Sequence, residues 1–168
     1  QNGNEWQEFV NALTTKLTSF FREMHHFKLL HDYLAFDKSK KFWKIWCSAS
    51  STGEEPYSII MTACEALGQG YSFSLVASDI DSKVLEVASK GIYRINDSKN
   101  ISETQIRNFF LKGKGSNSGM LKIKPAFRER VNFFVVNLVG ADWPFKEPFD
   151  IVFCRNVMIY FDAATQRH

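Results

Sequence analysis

Trp46-Cys47-Ser48-Ala49-Ser50-Ser51-Thr52-Gly53-Glu54-Glu55-Pro56-Tyr57-Ser58 passes from an apolar strand, through a string of very small residues, into a helix start. Small side chains at such a junction let a ligand lie almost against the backbone. Thr52 and Glu55 have the spacing of a capping box, so a helix is expected to begin here, its unpaired N–H groups facing whatever lies in front of them. The stretch reads as a cofactor loop on an α/β sheet. The same letters also suit an ordinary tight strand-to-helix turn.

Outward from this junction, strand and helix patterns alternate. Residues 42–49 read as a strand and 54–68 as a helix ended by Gly68. A second strand, 73–78, runs into Asp79, and 82–90 make a short helix ended by Gly91. Ser102 and Gln105 form a capping box that opens a helix through Lys112, with Ile101 and Ile106 as its hydrophobic staple. Residues 112–119 read as a flexible surface loop, 121–124, 131–136 and 149–154 as strands, and Asp162 as the start of another helix. Upstream, Trp6, Phe9, Val10 and Leu13 have helical spacing, as do Phe20, Phe21, Met24, Phe27, Leu30 and Leu34, and residues 37–41 form a polar link. The expected fold is α/β, a parallel sheet covered on both faces, resembling the first half of a doubly wound fold. A helical linker over 1–40 precedes the sheet domain over 41–168. More strands would complete such a sheet, so a partial, truncated one is expected.

Composition sets outer limits. A chain of 168 residues, 45% hydrophobic and 23% charged, suits one globular domain, and 16 Phe residues predict an aromatic core. A net charge of +3 could favour an acidic partner and does not single out nucleic acid. Cys47, Cys64 and Cys154 are odd in number and lie in apolar contexts, as buried thiols of a reducing compartment do; they suit neither a disulfide framework nor a zinc site. His25, His26 and His31 lack acidic or cysteine companions, so no metal is expected. With no apolar run of membrane-spanning length and no signal-peptide pattern, membrane insertion is not expected and the cytoplasm is the expected location.

Ligands of such folds sit at the carboxyl ends of the strands, and three ends carry polar residues. Asp79 could accept both hydroxyls of a ribose, or cap the next helix in competition with Asp81. Asn137 could bond an adenine edge while Leu138 covers the ring face, or simply turn the chain. Arg155 and Asn156 end an apolar strand, where polar groups are costly unless paired. Together these describe an adenosine pocket, for which a nicotinamide dinucleotide and S-adenosylmethionine are the two candidates. The dinucleotide fingerprint needs three spaced glycines and room for a pyrophosphate. Here only Gly53 is present, and Glu54 and Glu55 would repel a pyrophosphate while tolerating an ammonium or a sulfonium. The charge argument favours S-adenosylmethionine.

The chain resembles the CheR family of chemotaxis receptor methyltransferases over nearly its whole length. The resemblance rests on residues 14–23 (Thr-Thr-Lys-Leu-Thr-Ser-Phe-Phe-Arg-Glu), His25-His26-Phe27, the Ser-Thr-Gly-Glu-Glu-Pro-Tyr-Ser loop at 51–58, Ala77-Ser78-Asp79-Ile80-Asp81, Gly91-Ile92-Tyr93 and residues 149–161 (Phe-Asp-Ile-Val-Phe-Cys-Arg-Asn-Val-Met-Ile-Tyr-Phe). It implies a Rossmann-like class I methyltransferase domain and S-adenosylmethionine-dependent protein-glutamate O-methylation, with S-adenosylhomocysteine as product. It implies a cofactor pocket at Thr18, Arg22, Glu54, Asp79, Asn137, Leu138, Arg155 and Asn156, and points to Arg22 and Tyr160 beside the reacting methyl. Lys16 stands where the family often has Asn and is left out of the site. The implied partners are the cytoplasmic domains of transmembrane chemoreceptors, and some of the lysines at 38–41 and 112–124 could meet an acidic receptor helix. The family's N-terminal helical domain, and its small β-subdomain near the C-terminal end of the fold, are expected to be missing.

The implied reaction is direct displacement at the cofactor methyl by an already ionised glutamate, which needs no general base. Alignment and removal of water are what remain for the protein. The alternatives are a non-catalytic domain that binds S-adenosylmethionine or S-adenosylhomocysteine and signals its presence, a related N-methyltransferase, and last a nicotinamide oxidoreductase.

Overall fold

Phe27, Leu30 and Leu34 fall on one side of a helix, and that side is buried in α1 (His25–Phe36). The computed structural model describes residues 18–37, 39–68, 72–140 and 142–167. The helical spacing noted at Trp6, Phe9, Val10 and Leu13 lies outside them. Phe20 and Phe21 share the apolar spacing of α1 but not the helix. Phe21 and Glu23 have left-handed backbone (φ 51° and 57°), which a right-handed helix cannot propagate, so residues 20–24 turn and α1 starts at His25. Both phenylalanines are buried all the same.

The chain continues through β1 (Phe42–Cys47), α2 (Glu54–Ala66), β2 (Ser72–Asp79) and α3 (Ser82–Lys90). α2 stops at Ala66, ahead of the expected Gly68. α3 starts where Asp81 accepts hydrogen bonds from the N–H groups of Lys83 and Val84, and ends at Gly91 in left-handed conformation. The competition for the cap is thus settled for Asp81. An excursion follows: β3 (Ile92–Arg94), α4 (Glu103–Phe109), β4 (Phe110–Lys112), β5 (Met120–Ile123) and the single turn α5 (Pro125–Arg128). The capping box of Ser102 and Gln105 is formed in both directions. Its helix ends at Phe109, short of the expected Lys112, because Phe110–Lys112 pair with β5 instead. β3, β5 and β4 make a separate antiparallel sheet, so the strand expected at 121–124 does not belong to the main, parallel one. The antiparallel strands are three or four residues long, too short to show an alternation of their own.

The chain returns through β6 (Val131–Val135) and β7 (Ile151–Phe153). The main sheet is parallel throughout, in the order β6-β2-β1-β7. The path runs from β1 through β2 to β6, then crosses back to lay β7 on the other side of β1. This is the order of a doubly wound, Rossmann-like sheet, and it opens a crevice beyond the carboxyl ends of β1 and β7.

Trp43, Ile45 and Cys47 of β1 and Phe73, Leu75 and Ala77 of β2 share one core with Leu30, Leu34, Ile59 and Ile60 of the helices. The opposite face carries Trp46, whose indole N–H donates to Ser78 Oγ at 2.9 Å. Trp143, Phe145 and Phe149 pack on that indole with centroids 5.1, 5.3 and 5.4 Å away. Cover on both faces was expected; among the described residues this aromatic segment packs on the second face. The antiparallel sheet joins the main core through Tyr93, edge-on to Phe20 at 4.8 Å.

Candidate functional site

Backbone hydrogen bonds build the junction between β1 and α2. Ser48 N–H donates to Phe153 O (2.9 Å), Ser50 N–H to Ser78 O (2.8 Å) and Gly53 N–H to Ser50 O (3.0 Å), so the loop is stitched to the ends of both β7 and β2. Ser51 and Gly53 are left-handed, with φ of 46° and 99°. A Cβ on Gly53 would lie 2.6 Å from Tyr93 Oη and 2.9 Å from Ala88 Cβ. Glycine is therefore required by backbone conformation and by packing against α3 and β3, whereas the sequence suggested ligand approach. Tyr93 Oη also donates to Thr52 O at 2.9 Å. The expected capping box of Thr52 and Glu55 does not form. Gly53, which has no side chain to offer, is the cap residue, and no side chain caps α2. Thr52 Oγ1 donates instead to Glu54 Oε2 at 2.7 Å.

Asp79 sits at the end of β2 and is held by backbone amides: Ser51 N–H donates to Oδ2 (2.9 Å) and Asp81 N–H to Oδ1 (3.0 Å). Burial pushes its carboxyl above the usual range, partly offset by these N–H bonds. Burial likewise raises Glu54, with the Thr52 hydroxyl pulling it partly back. Two half-buried carboxylates short of solvation suit a ligand that donates hydroxyls or carries positive charge.

The end of β7 meets the turn before α1. Arg155 Nη1 donates to Glu55 Oε2 at 2.6 Å, and Nη2 to the Arg22 carbonyl at 2.5 Å, while Glu23 Oε2 lies 3.3 Å from Nη2. The guanidinium also lies over the Phe27 ring, 5.4 Å from its centroid. Arg155 Nε is buried without a partner. Asn156, left-handed at φ 56°, donates from Nδ2 to Glu23 Oε1 at 3.2 Å, and Arg22 Nε lies 3.8 Å from the same oxygen. Glu55 accepts from Cys47 Sγ at 3.3 Å on its other oxygen. Burial raises the Glu55 carboxyl, against the pull of Arg155.

Arg22, Arg155 and Asn156 thus converge on one carboxylate, and Asp79 and Glu54 lie on the adjoining loop and strand end. Thr18 is half-buried just before the turn. Asn137 spends Oδ1 on Val139 N–H (3.0 Å) and its carbonyl on Trp143 Nε1 (3.2 Å), with Leu138 half-buried beside it. Tyr160 lies on a single 3-10 turn, Met158–Tyr160, clamped by Gln166 Nε2 on Met158 O and Phe161 O. Its side chain is 65% exposed, and among the described residues no hydrogen bond ties it to the Arg22–Arg155 group. Sequence reasoning passed over Glu23, Glu55 as a partner of Arg155, and Tyr93. All three lie inside the motifs quoted above, which was the signal that could have found them.

The histidines need a correction. His25 and His26 do have an acidic companion, since Glu23 lies with them and the ligand atoms of all three fall within 4.8 Å of one another. That carboxylate is already engaged by Arg155 and Asn156, and two guanidinium groups oppose a cation there.

A family model described as "CheR methyltransferase, SAM binding domain" matches residues 16–168. The chain is 48% identical over 163 residues to the chemotaxis protein methyltransferase of Klebsiella aerogenes, covering 96% of this chain and 56% of that protein. It is 46% identical over 167 residues to the Salmonella typhimurium chemotaxis protein methyltransferase, covering 99% and 57%, and 46% identical over 168 residues to that of Escherichia coli, covering 99% and 58%. The chain therefore spans a little more than half the length of these curated relatives. Among the described residues no helix is long and apolar enough to cross a membrane.

Proposed function

The chain belongs to the CheR methyltransferase family, and from that premise we propose that it transfers a methyl group from S-adenosylmethionine to glutamate side chains in the cytoplasmic domains of chemoreceptors. The products are a glutamate methyl ester and S-adenosylhomocysteine. The observation that carries this reading is the convergence of Arg22, Arg155 and Asn156 beside the buried carboxylates of Asp79 and Glu54, within a segment matched by a SAM-binding family model. S-adenosylmethionine supplies an electrophilic methyl on a sulfonium, whose departure leaves a neutral thioether.

The residues then divide the work. Asp79 accepts the ribose hydroxyls, Asn137 and Leu138 receive the adenine edge and face, and Glu54 faces the positive end of the cofactor. Thr18, Arg155 and Asn156 complete the pocket. Arg22 orients the attacking carboxylate by a charge-assisted pair, and Tyr160 supplies a second hydrogen bond beside the methyl. An acceptor carboxylate is already ionised at neutral pH, so the carboxylate oxygen attacks the methyl carbon, the C–S electron pair stays on sulfur, and no proton is moved. Residues 1–40 act as a helical linker contributing to the cofactor site of the 41–168 domain. The cytoplasm, where such receptor domains lie, is the proposed location.

The test is transfer of a radioactive methyl to a receptor cytoplasmic fragment, followed by mild alkali. A methyl ester releases volatile methanol. Label that stays on the protein would replace this reading with N-methylation, and binding of S-adenosylmethionine without transfer would favour a sensor domain. Arg22→Ala, compared at saturating cofactor, is expected to turn over well below wild type; undiminished turnover would remove Arg22 from the mechanism.

A further inference from the structure

The group of donors just described holds a carboxylate of the chain itself. Glu23 follows Arg22 directly, and its left-handed backbone lies in the turn that packs against the end of β7. One oxygen accepts from Asn156 Nδ2 at 3.2 Å and lies 3.8 Å from Arg22 Nε; the other lies 3.3 Å from Arg155 Nη2. The hydrogen bond from Asn156 and the bond and charge of Arg155 hold the Glu23 carboxyl below its usual range, so it is ionised at neutral pH.

The fit is incomplete. A guanidinium takes a carboxylate best along an edge, through two parallel N–H bonds. Beside Nη2, Arg155 Nε is buried and without a partner, so Glu23 uses that edge only in part. The 3.3 Å and 3.8 Å separations are long for charge-assisted bonds. The rest of Arg155 is committed elsewhere, Nη1 to Glu55 and the face of the guanidinium to Phe27. Glu23 shares Nη2 with the Arg22 carbonyl, and Nε on the same edge is the donor that no protein group takes.

We propose that Arg155, Asn156 and Arg22 form a seat for a ligand carboxylate, and that Glu23 is an internal competitor that fills this seat until the ligand displaces it. This rests on the methyl-transfer reading above. Two carboxylates of that reaction share the required chemistry: the side chain of the acceptor glutamate and the amino-acid carboxylate of the cofactor. Displacement lowers the apparent affinity of whichever one uses the seat, by the fraction of molecules in which Glu23 has swung away. Glu23 is thus a specificity-determining residue acting on binding, and it leaves the chemical step untouched.

The experiment compares Glu23→Gln and Glu23→Asp with wild type. Gln removes the charge. Asp keeps the charge on a side chain one methylene shorter, which withdraws the carboxylate from Arg155 and Asn156. Titration calorimetry with S-adenosylmethionine and steady-state KM and kcat with a receptor fragment are the readouts, with Glu86→Gln on the exposed side of α3 as a control for net charge. If the acceptor uses the seat, KM for the fragment falls roughly two- to fivefold in both variants at unchanged kcat, the scale of a partly exposed charge pair. If the cofactor uses it, the dissociation constant of S-adenosylmethionine falls by a similar factor. Binding of 5′-methylthioadenosine, which lacks the carboxylate, then stays constant. Wild-type values in both variants overturn the proposal. So does a gain in Gln alone or in the Glu86 control, which would report bulk charge. Absence of methyl transfer in the wild type would instead strike the underlying reading, while the calorimetric arm still reports on the seat.

Discussion

The loop after β1 is pinned by hydrogen bonds to partners far away in the chain, whereas the hydrogen bonds at Asn137, just beyond β6, reach no further than six residues. Ser48 and Ser50 donate to the carbonyls of Phe153 and Ser78, Ser51 to Asp79, and Tyr93 to Thr52, while Glu55 at the start of α2 meets Arg155. Beyond β6, Asn137 accepts from Val139, Gly140 and Trp143 among the described residues. β1 lies inside the sheet with a strand on each side, and β6 is at its edge. A loop at a central strand can be fixed by its neighbours, so it makes a preorganised wall, and damage there costs stability and ligand binding together. The Asn137 turn at the edge keeps its hydrogen bonds local, although Val136 N–H beside it reaches Asp79 O and Trp143 packs on Trp46, so its hydrogen-bonding to a ligand can change with less effect on the fold.

Arg155→Met tests the first half most severely. It leaves Glu55 buried without its cation and frees the Arg22 carbonyl. A loss of about 3 kcal/mol in denaturant unfolding is expected, together with loss of cofactor binding. Adding Glu55→Gln should restore a large part of the stability and little of the binding, since the unpaired charge is gone but the guanidinium is not replaced. A stable, binding-competent Arg155→Met protein would break the comparison outright. Gly53→Ala comes next. The added Cβ needs φ 99° and meets Tyr93 Oη and Ala88, so a cost of about 2 kcal/mol is expected, with a parallel drop in affinity.

Glu54→Gln has a smaller effect and a direction in pH. Burial holds the folded carboxyl above its ordinary value of 4.5, with the Thr52 hydroxyl pulling partly back. Between the unfolded and folded values the folded state binds more protons. The favourable contribution of Glu54 is therefore complete below the unfolded value and is lost as pH rises through the folded one. The variant lacks this slope. From about pH 4 to about pH 7 the stability of wild type should fall relative to Glu54→Gln. A difference that is flat, or opposite in sign, in urea titrations at the two values would show that the Thr52 bond outweighs burial.

Much of the β1 side could be read from the sequence, because strand, small residues, acidic helix start and the polar ends of β2 and β7 are all local patterns. The four parallel strands were placed within a few residues for the same reason. Residues 20–24 misled because a buried turn and a buried helix both space their phenylalanines for the core. The antiparallel sheet was missed because three-residue strands carry no period. Asp79 and Asp81 could not be told apart by type, and only the path of the chain assigns the cap to Asp81. The bond between Glu55 and Arg155 joins residues a hundred positions apart, and nothing in either local pattern names the other.

The smallest effect belongs to the β6 side, and it decides whether Asn137 serves anything besides its own turn. Oδ1 is taken by Val139 N–H, which leaves the amide Nδ2 as the donor a ligand could use. Asn137→Asp keeps an oxygen acceptor for Val139 and removes the donor. If the turn is held locally, unfolding free energy should stay within about 0.5 kcal/mol of wild type. If Nδ2 donates to an adenine ring nitrogen, affinity for S-adenosylmethionine should fall by about 1 kcal/mol, read by calorimetry on the same samples. Binding would then move while stability does not, the reverse of what Arg155→Met produces. Unchanged affinity would leave Asn137 as a turn residue and narrow the adenosine pocket to the side built by β1, β2 and β7. A loss of stability as large as that of Gly53→Ala would mean that the edge segment is fixed from afar after all, and the contrast between the two segments would fall.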